Sequence, residues 1–90
     1  NGPLDFRSPR RIGERIDQVA ATKGYDHCFV IDGQVGQLRP AAYVFDPDSK
    51  RSMQVITTQP GVQLYTGNHL GGDDRSAGLG AHEAFCLETQ

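Results

Sequence analysis

The sequence predicts an all-β chain, an antiparallel β-sandwich or a piece of one, with a single short helix near its start. Three observations carry this. Five short segments read as strands, by alternation of apolar and polar residues or by β-branched and aromatic content. Glycine, proline and aspartate signals separate them. Only one stretch shows apolar residues at helical spacing.

In chain order, "NGPLDFRSP" opens as turn or loop. In "SPRRIGERIDQVAATKG", Ser8 is placed to cap a helix and Pro9 suits its first position. Ile12, Ile16, Val19 and Ala20 then recur at helical spacing, and Gly13 weakens the pattern, so a short helix or helical turn ending near Gly24 is expected. "DHCFVID" sets His27, Phe29 and Ile31 on one side and Asp26, Cys28 and Val30 on the other, as a strand does. "AAYVFD" is a second strand. It is followed by the turn "DPDSK", where Pro47 fixes φ and Asp46 can bond forward to the backbone. "SMQVITTQ" is a third strand, Pro60-Gly61 interrupts, and "VQLYTG" is a fourth. The glycine-rich, polar connection Gly71–Gly80 leads to "EAFCLETQ", a fifth. There Phe85, Leu87 and Thr89 share one face, and Cys86, Glu88 and Gln90 the other. No internal repeat or low-complexity segment is present.

The bulk properties narrow the function classes. Ninety residues suit one small domain or part of a larger one. With 37% hydrophobic and 22% charged residues the composition is that of a globular protein and not of a disordered one. The net charge of −2 and the lack of a basic block beyond Arg10-Arg11 give no electrostatic reason to expect a nucleic acid or an anionic membrane as partner. No apolar run is long enough to span a bilayer, and no basic-then-apolar leader opens the chain. Cys28 and Cys86 form no CxxC and are expected as free, buried, unreactive thiols, which favours a reducing, cytoplasmic setting.

Several residues qualify as site candidates. Asp26, at a strand start, reads either as a turn-capping aspartate or as a carboxylate that accepts hydrogen bonds from substrate hydroxyls. His27 points to the opposite face by parity. Gln63 and Tyr65 share a face of the fourth strand. Gln63 offers both a donor and an acceptor, as a sugar hydroxyl needs, unless it is an ordinary solvent-facing glutamine. Glu88 has two readings. On a buried face desolvation raises its pKa into the range of a general base; otherwise the Cys86, Glu88 and Gln90 face is simply solvated. His82, Glu83 and Cys86 match no zinc spacing, so no metal is expected. "IDGQVGQ" lacks both GxGxxG and a following helix, so no phosphate cradle is expected.

Three segments, "KGYDHCFVID", "TTQPGVQLYTGN" and "FCLETQ", together resemble the aldose 1-epimerase (galactose mutarotase) family, and "LDFRSPRRIGERI" resembles the stretch that precedes them there. Their order and approximate spacing match, so the resemblance covers nearly all of the chain. It implies a galactose mutarotase-like supersandwich, of which residues 1–90 would be an internal fragment. It further implies interconversion of the α and β anomers of free aldohexoses without metal or organic cofactor. By the same resemblance Glu88 matches the general base, Asp26 a carboxylate that binds sugar hydroxyls, and Gln63 a polar substrate contact.

The chemistry fits those residue types. A pyranose is a hemiacetal. A base takes the proton of the C1 hydroxyl while an acid protonates the ring oxygen, the ring opens to an aldehyde, the C1–C2 bond rotates, and closure on the other face reverses the proton transfers. Each transfer contributes typically ~10²–10⁴-fold. The sequence departs from the family pattern in the acid, which the resemblance implies is a histidine upstream of these segments; His27, His69 and His82 do not match it. Cys28 stands where the family commonly has asparagine. The isolated fragment is therefore expected to be inactive. A non-catalytic carbohydrate-binding or sugar-sensing module on the same fold is the alternative, and a β domain without sugar function is the bland one.

Overall fold

The five strands expected from the sequence are present in the computed structural model, which describes residues 2–71 and 78–90. They are β1 (Asp26–Val30), β2 (Arg39–Phe45), β3 (Ser52–Thr57), β4 (Gly61–Tyr65) and β5 (Cys86–Thr89). β1, β4 and β5 form one sheet in the order β1-β4-β5, and β2 pairs with β3 in a second. The connection between β4 and β5 that the sequence marks as polar and glycine-rich falls largely on residues 72–77, outside the described residues.

Hydrogen bonds at the strand ends fix the directions. The Ile31 N–H donates to the Pro60 carbonyl (3.0 Å) and the Thr66 N–H to the Tyr25 carbonyl (3.1 Å), so β4 runs antiparallel to β1. Gly61 and Gln90 exchange N–H···O bonds in both directions, each 2.9 Å, which is the signature of an antiparallel pair. β2 and β3 are antiparallel too, with Tyr43 opposite Gln54 and Phe45 opposite Ser52. The register slips between Pro40 and Ala42, where an extra residue and a proline without an N–H suit a bulge.

The turn joining β2 and β3 behaves as its residues dictate. Asp46 Oδ1 accepts the Asp48 N–H (3.1 Å) and Oδ2 accepts the Ser49 hydroxyl (2.7 Å). The Ser49 hydrogen bond, followed by that from the Asp48 backbone, holds the Asp46 carboxyl below its usual range.

The helical segment departs from the expected form. It is made of two 3₁₀ stretches, Ile12–Gln18 and Ala20–Thr22. Arg11, not Ser8, occupies the cap position, and no side chain caps it. Arg15 leaves helical geometry (φ −128°, ψ 20°), so the segment cannot run as one continuous α-helix. The end near Gly24 is as expected, with Lys23 in the left-handed region at φ 61°. Among the described residues no helix is long and apolar enough to cross a membrane.

The chain divides into two compact units, Asn1–His27 with Leu64–Cys86, and Cys28–Gln63 with Leu87–Gln90. In the first, Tyr25 is fully buried and Leu64 nearly so. Phe6 meets the Tyr25 ring edge-on at 5.3 Å, and the Arg10 guanidinium lies 4.4 Å over the Phe6 ring. In the second, Ile31 and Val62 form the buried core. The alternation read from the sequence holds in β1, and in β5 only at Leu87, because Phe85 and Thr89, read onto the same face, are exposed. Phe29 and Leu87 are half-buried, while Asp26, Cys28, Val30, Cys86 and Glu88 are exposed. Both cysteines are free, as expected, but neither is buried. Their apolar neighbours belong to the opposite faces of the strands, and alternation turns the thiols outward.

Candidate functional site

In the second unit, the reciprocal Gly61–Gln90 pair sets the register of β4 and β5. Counting in step, Val62 stands opposite Thr89 and Gln63 opposite Glu88. Side chains directly opposite in an antiparallel pair project from the same face, with Cβ atoms ~4.5–5.5 Å apart. Gln63 and Glu88 are thus brought together from positions far apart in the sequence. Counting inward from Ile31–Pro60 sets Cys28 opposite Gln63 on its other side. Cys28, Gln63 and Glu88 therefore form a row across three strands.

Gly61 makes this row possible. A Cβ built on it would lie 2.7 Å from the Cys28 sulfur and 3.2 Å from the Phe29 carbonyl. No side chain fits there unless the thiol moves, which gives a physical reason for glycine after Pro60. The face is open. Gln63 is half-buried and Glu88 exposed. Of the two readings of Glu88, the solvated face is the one these residues form. The row combines a carboxylate acceptor with an amide that both donates and accepts, a set suited to vicinal hydroxyls.

In the first unit, Asp26 begins β1 immediately after the buried Tyr25. Residues 22–25 form a tight turn in which each backbone carbonyl has a side-chain donor. Thr22 O accepts from Asn68 Nδ2 (3.1 Å), and Lys23 O pairs with His82 Nε2 (2.9 Å). Gly24 O accepts from Thr22 Oγ1 (2.5 Å), and Tyr25 O accepts from Asn68 Nδ2 (2.9 Å). The Tyr25 N–H donates to Thr66 Oγ1 (3.0 Å), whose hydroxyl donates to Asn68 Oδ1 (2.7 Å). The Tyr25 hydroxyl reaches the Pro3 carbonyl at 2.7 Å. Gly24 has φ 138°, and a Cβ there would overlap the Asn68 amide, so glycine is required twice over. The Asp26 carboxylate projects from an exposed position at the end of this clamp.

Sequence reasoning named Asp26, Gln63 and Glu88 but missed Thr66, Asn68 and His82, which hold the turn before Asp26. The signal was a polar–glycine–polar run, "TGN", straight after an apolar strand. Such a run inside a core has to satisfy its own polar groups. The sequence sets His82 aside both as a metal ligand and as the acid. Its ring instead bonds the Lys23 carbonyl, and Glu83 accepts the Gly80 N–H (2.5 Å). An open recess of about 220 Å³ in the first unit is lined by Ile12, Ile16, Thr66, His82 and Phe85, among others; it contains none of Asp26, Gln63 and Glu88.

The aldose 1-epimerase family model matches residues 1–90, the whole chain. The chain belongs to the aldose 1-epimerase family. Among curated relatives, a galactose mutarotase of Bos taurus is 42% identical over 90 residues, covering 97% of this chain and 26% of its own length. The galactose mutarotase of Homo sapiens is 40% identical over the same shares of each chain. The aldose 1-epimerase of Escherichia coli is 39% identical over 72 residues, which cover 77% of this chain and 21% of the relative. The chain thus spans about a quarter of the length of the aldose 1-epimerases and galactose mutarotases it matches. No solved structure matches it at a significant level.

Proposed function

We propose that the protein to which these residues belong is an aldose 1-epimerase, interconverting the α and β anomers of free aldohexoses such as galactose and glucose. In this reading Glu88 is the general base at the C1 hydroxyl. Gln63 holds a neighbouring hydroxyl, and Asp26 accepts hydrogen bonds from others. The observation that carries the reading is the in-step pairing of Gln63 with Glu88, within a chain matched by the family over its whole length.

The chemistry follows from the groups. Glu88 removes the O1 proton as an acid protonates the ring oxygen, and the C1–O5 bond breaks to give the open aldehyde. Rotation about C1–C2 presents the other carbonyl face, and closure returns both protons. The acid is supplied by a residue outside these 90. Two of the chain's histidines, His27 and His82, already have ring nitrogens engaged with backbone, at Asp26 N and Lys23 O.

Polarimetry with fresh α-galactose tests the proposal. The full-length protein accelerates the approach to the equilibrium rotation, and the isolated 90-residue chain does not. A full-length protein that binds galactose, by thermal shift or NMR titration, without accelerating rotation would instead be a carbohydrate-binding module.

A further inference from the structure

The Thr66–Asn68 pair is more elaborate than packing requires. Thr66 and Asn68 are buried, at 2% and 7% exposure. Burying such groups costs free energy unless every donor and acceptor is met. Here they are met: the Thr66 hydroxyl has Asn68 Oδ1 at 2.7 Å and the Tyr25 carbonyl at 3.3 Å within reach, and the Asn68 amide fits in only one orientation. Both Asn68 Nδ2 hydrogens go to carbonyls, Thr22 and Tyr25, and its Oδ1 takes the Thr66 hydroxyl proton. Turning the amide over would set an oxygen against two carbonyls. The Tyr25 carbonyl also takes the Thr66 N–H, so both its lone pairs are engaged. The peptide held in this way is the Tyr25–Asp26 peptide, one bond from the Asp26 Cα.

The exposed Asp26 side chain thus projects from a backbone whose freedom has been removed on the buried side. A binding group has to be held within about 0.5 Å of its productive geometry, and such precision has to come from neighbours that are themselves locked. We propose that Asn68 and Thr66 are positioning residues, which aim the Asp26 carboxylate at sugar hydroxyls through the Tyr25–Asp26 peptide. The proposal rests on the reading of Asp26 given under Proposed function.

The test is a double-mutant cycle in the full-length protein, with KM and kcat for mutarotation and the thermal midpoint read for each variant. Asp26→Asn raises KM. Asn68→Ser raises KM about tenfold, the scale of one well-aimed hydrogen bond to a charged group, with kcat within about twofold of wild type. The double variant is no worse in KM than Asp26→Asn alone, because a carboxylate that is gone cannot be misplaced. Thr66→Val shows the same KM-only defect, and Thr66→Ser restores it by returning the hydroxyl. Where Asn68→Ser does not fold, Thr66→Val takes its place in the cycle. Fully additive effects of Asn68→Ser and Asp26→Asn, or an unchanged KM in Asn68→Ser, would overturn the positioning role while leaving the reading of Asp26 intact. An unchanged KM in Asp26→Asn would overturn that reading first, and the positioning role with it.

Discussion

The turn at residues 22–25 and the row Cys28, Gln63 and Glu88 treat their polar groups in opposite ways. In the turn, every carbonyl is matched to a side-chain donor, from the buried Asn68, the half-buried Thr22 and the exposed His82. In the row, the side chains stand on the open face of strands, and Glu88 is exposed. Polar groups that hold the chain must be satisfied internally, because an unmet buried donor or acceptor costs about 1–3 kcal/mol. Polar groups that meet a ligand have to be left accessible. The same strand, β4, carries Gln63 in its middle and leads directly into Thr66 and Asn68, so one short sequence serves both ends.

The difference can be broken from either side. The largest effect on stability belongs to the clamp. Tyr25→Ala removes a fully buried ring, its edge contact with Phe6 and its hydrogen bond to Pro3, and should destabilise the full-length protein by about 3–5 kcal/mol in urea titration. Next comes Thr66→Val, which keeps the shape but leaves the Tyr25 N–H and the Asn68 oxygen without their partner. A loss of about 1–3 kcal/mol is expected.

A smaller effect is expected at the β2–β3 turn. The Asp46 carboxyl is held below its ordinary value of 3.8, chiefly by the Ser49 hydroxyl. A depressed carboxylate contributes stability above its unfolded pKa and loses it as pH falls through the folded one. The deficit of Asp46→Asn should therefore be present at neutral pH and fade below about pH 4, when denaturant midpoints are followed against pH. The side chain is fully exposed, so solvent screening keeps this contribution slight. The smallest effect on stability belongs to the row. Glu88→Gln should leave unfolding within about 0.5 kcal/mol of wild type, as exposed substitutions do. A large loss there would mean that Glu88 holds the fold.

How much of this was legible follows from the range of the interactions. The five strands, the two faces of β1 and the Asp46 turn are local consequences of alternation and turn chemistry, and each could be read residue by residue. The strand pairing could not. Gln63 meets Glu88 only because Gly61 pairs with Gln90, and no spacing in the sequence announces that register. The clamp was hidden for the same reason, since Tyr25 and Thr66 are 41 positions apart and Thr22 and Asn68 are 46 apart. The thiols were misjudged because apolar neighbours in sequence lie on the opposite face of a strand. The sequence predicts a short helix or helical turn, and the structure has two 3₁₀ stretches. Gly13 was visible as a weakness, but the break at Arg15 was not. The roles of Asp26, Gln63 and Glu88 came from the family resemblance, and their residue types alone left the choice open.

The central claim is that Glu88 acts on the sugar and does not hold the fold. Its most direct test is the mutarotation rate of the full-length Glu88→Gln variant, followed by polarimetry from fresh α-galactose beside wild type. Glutamine keeps the size and removes the proton acceptor, so kcat should fall at least ~10²-fold with unfolding unchanged. A near-normal rate in the folded variant would contradict the assignment of Glu88 as the base.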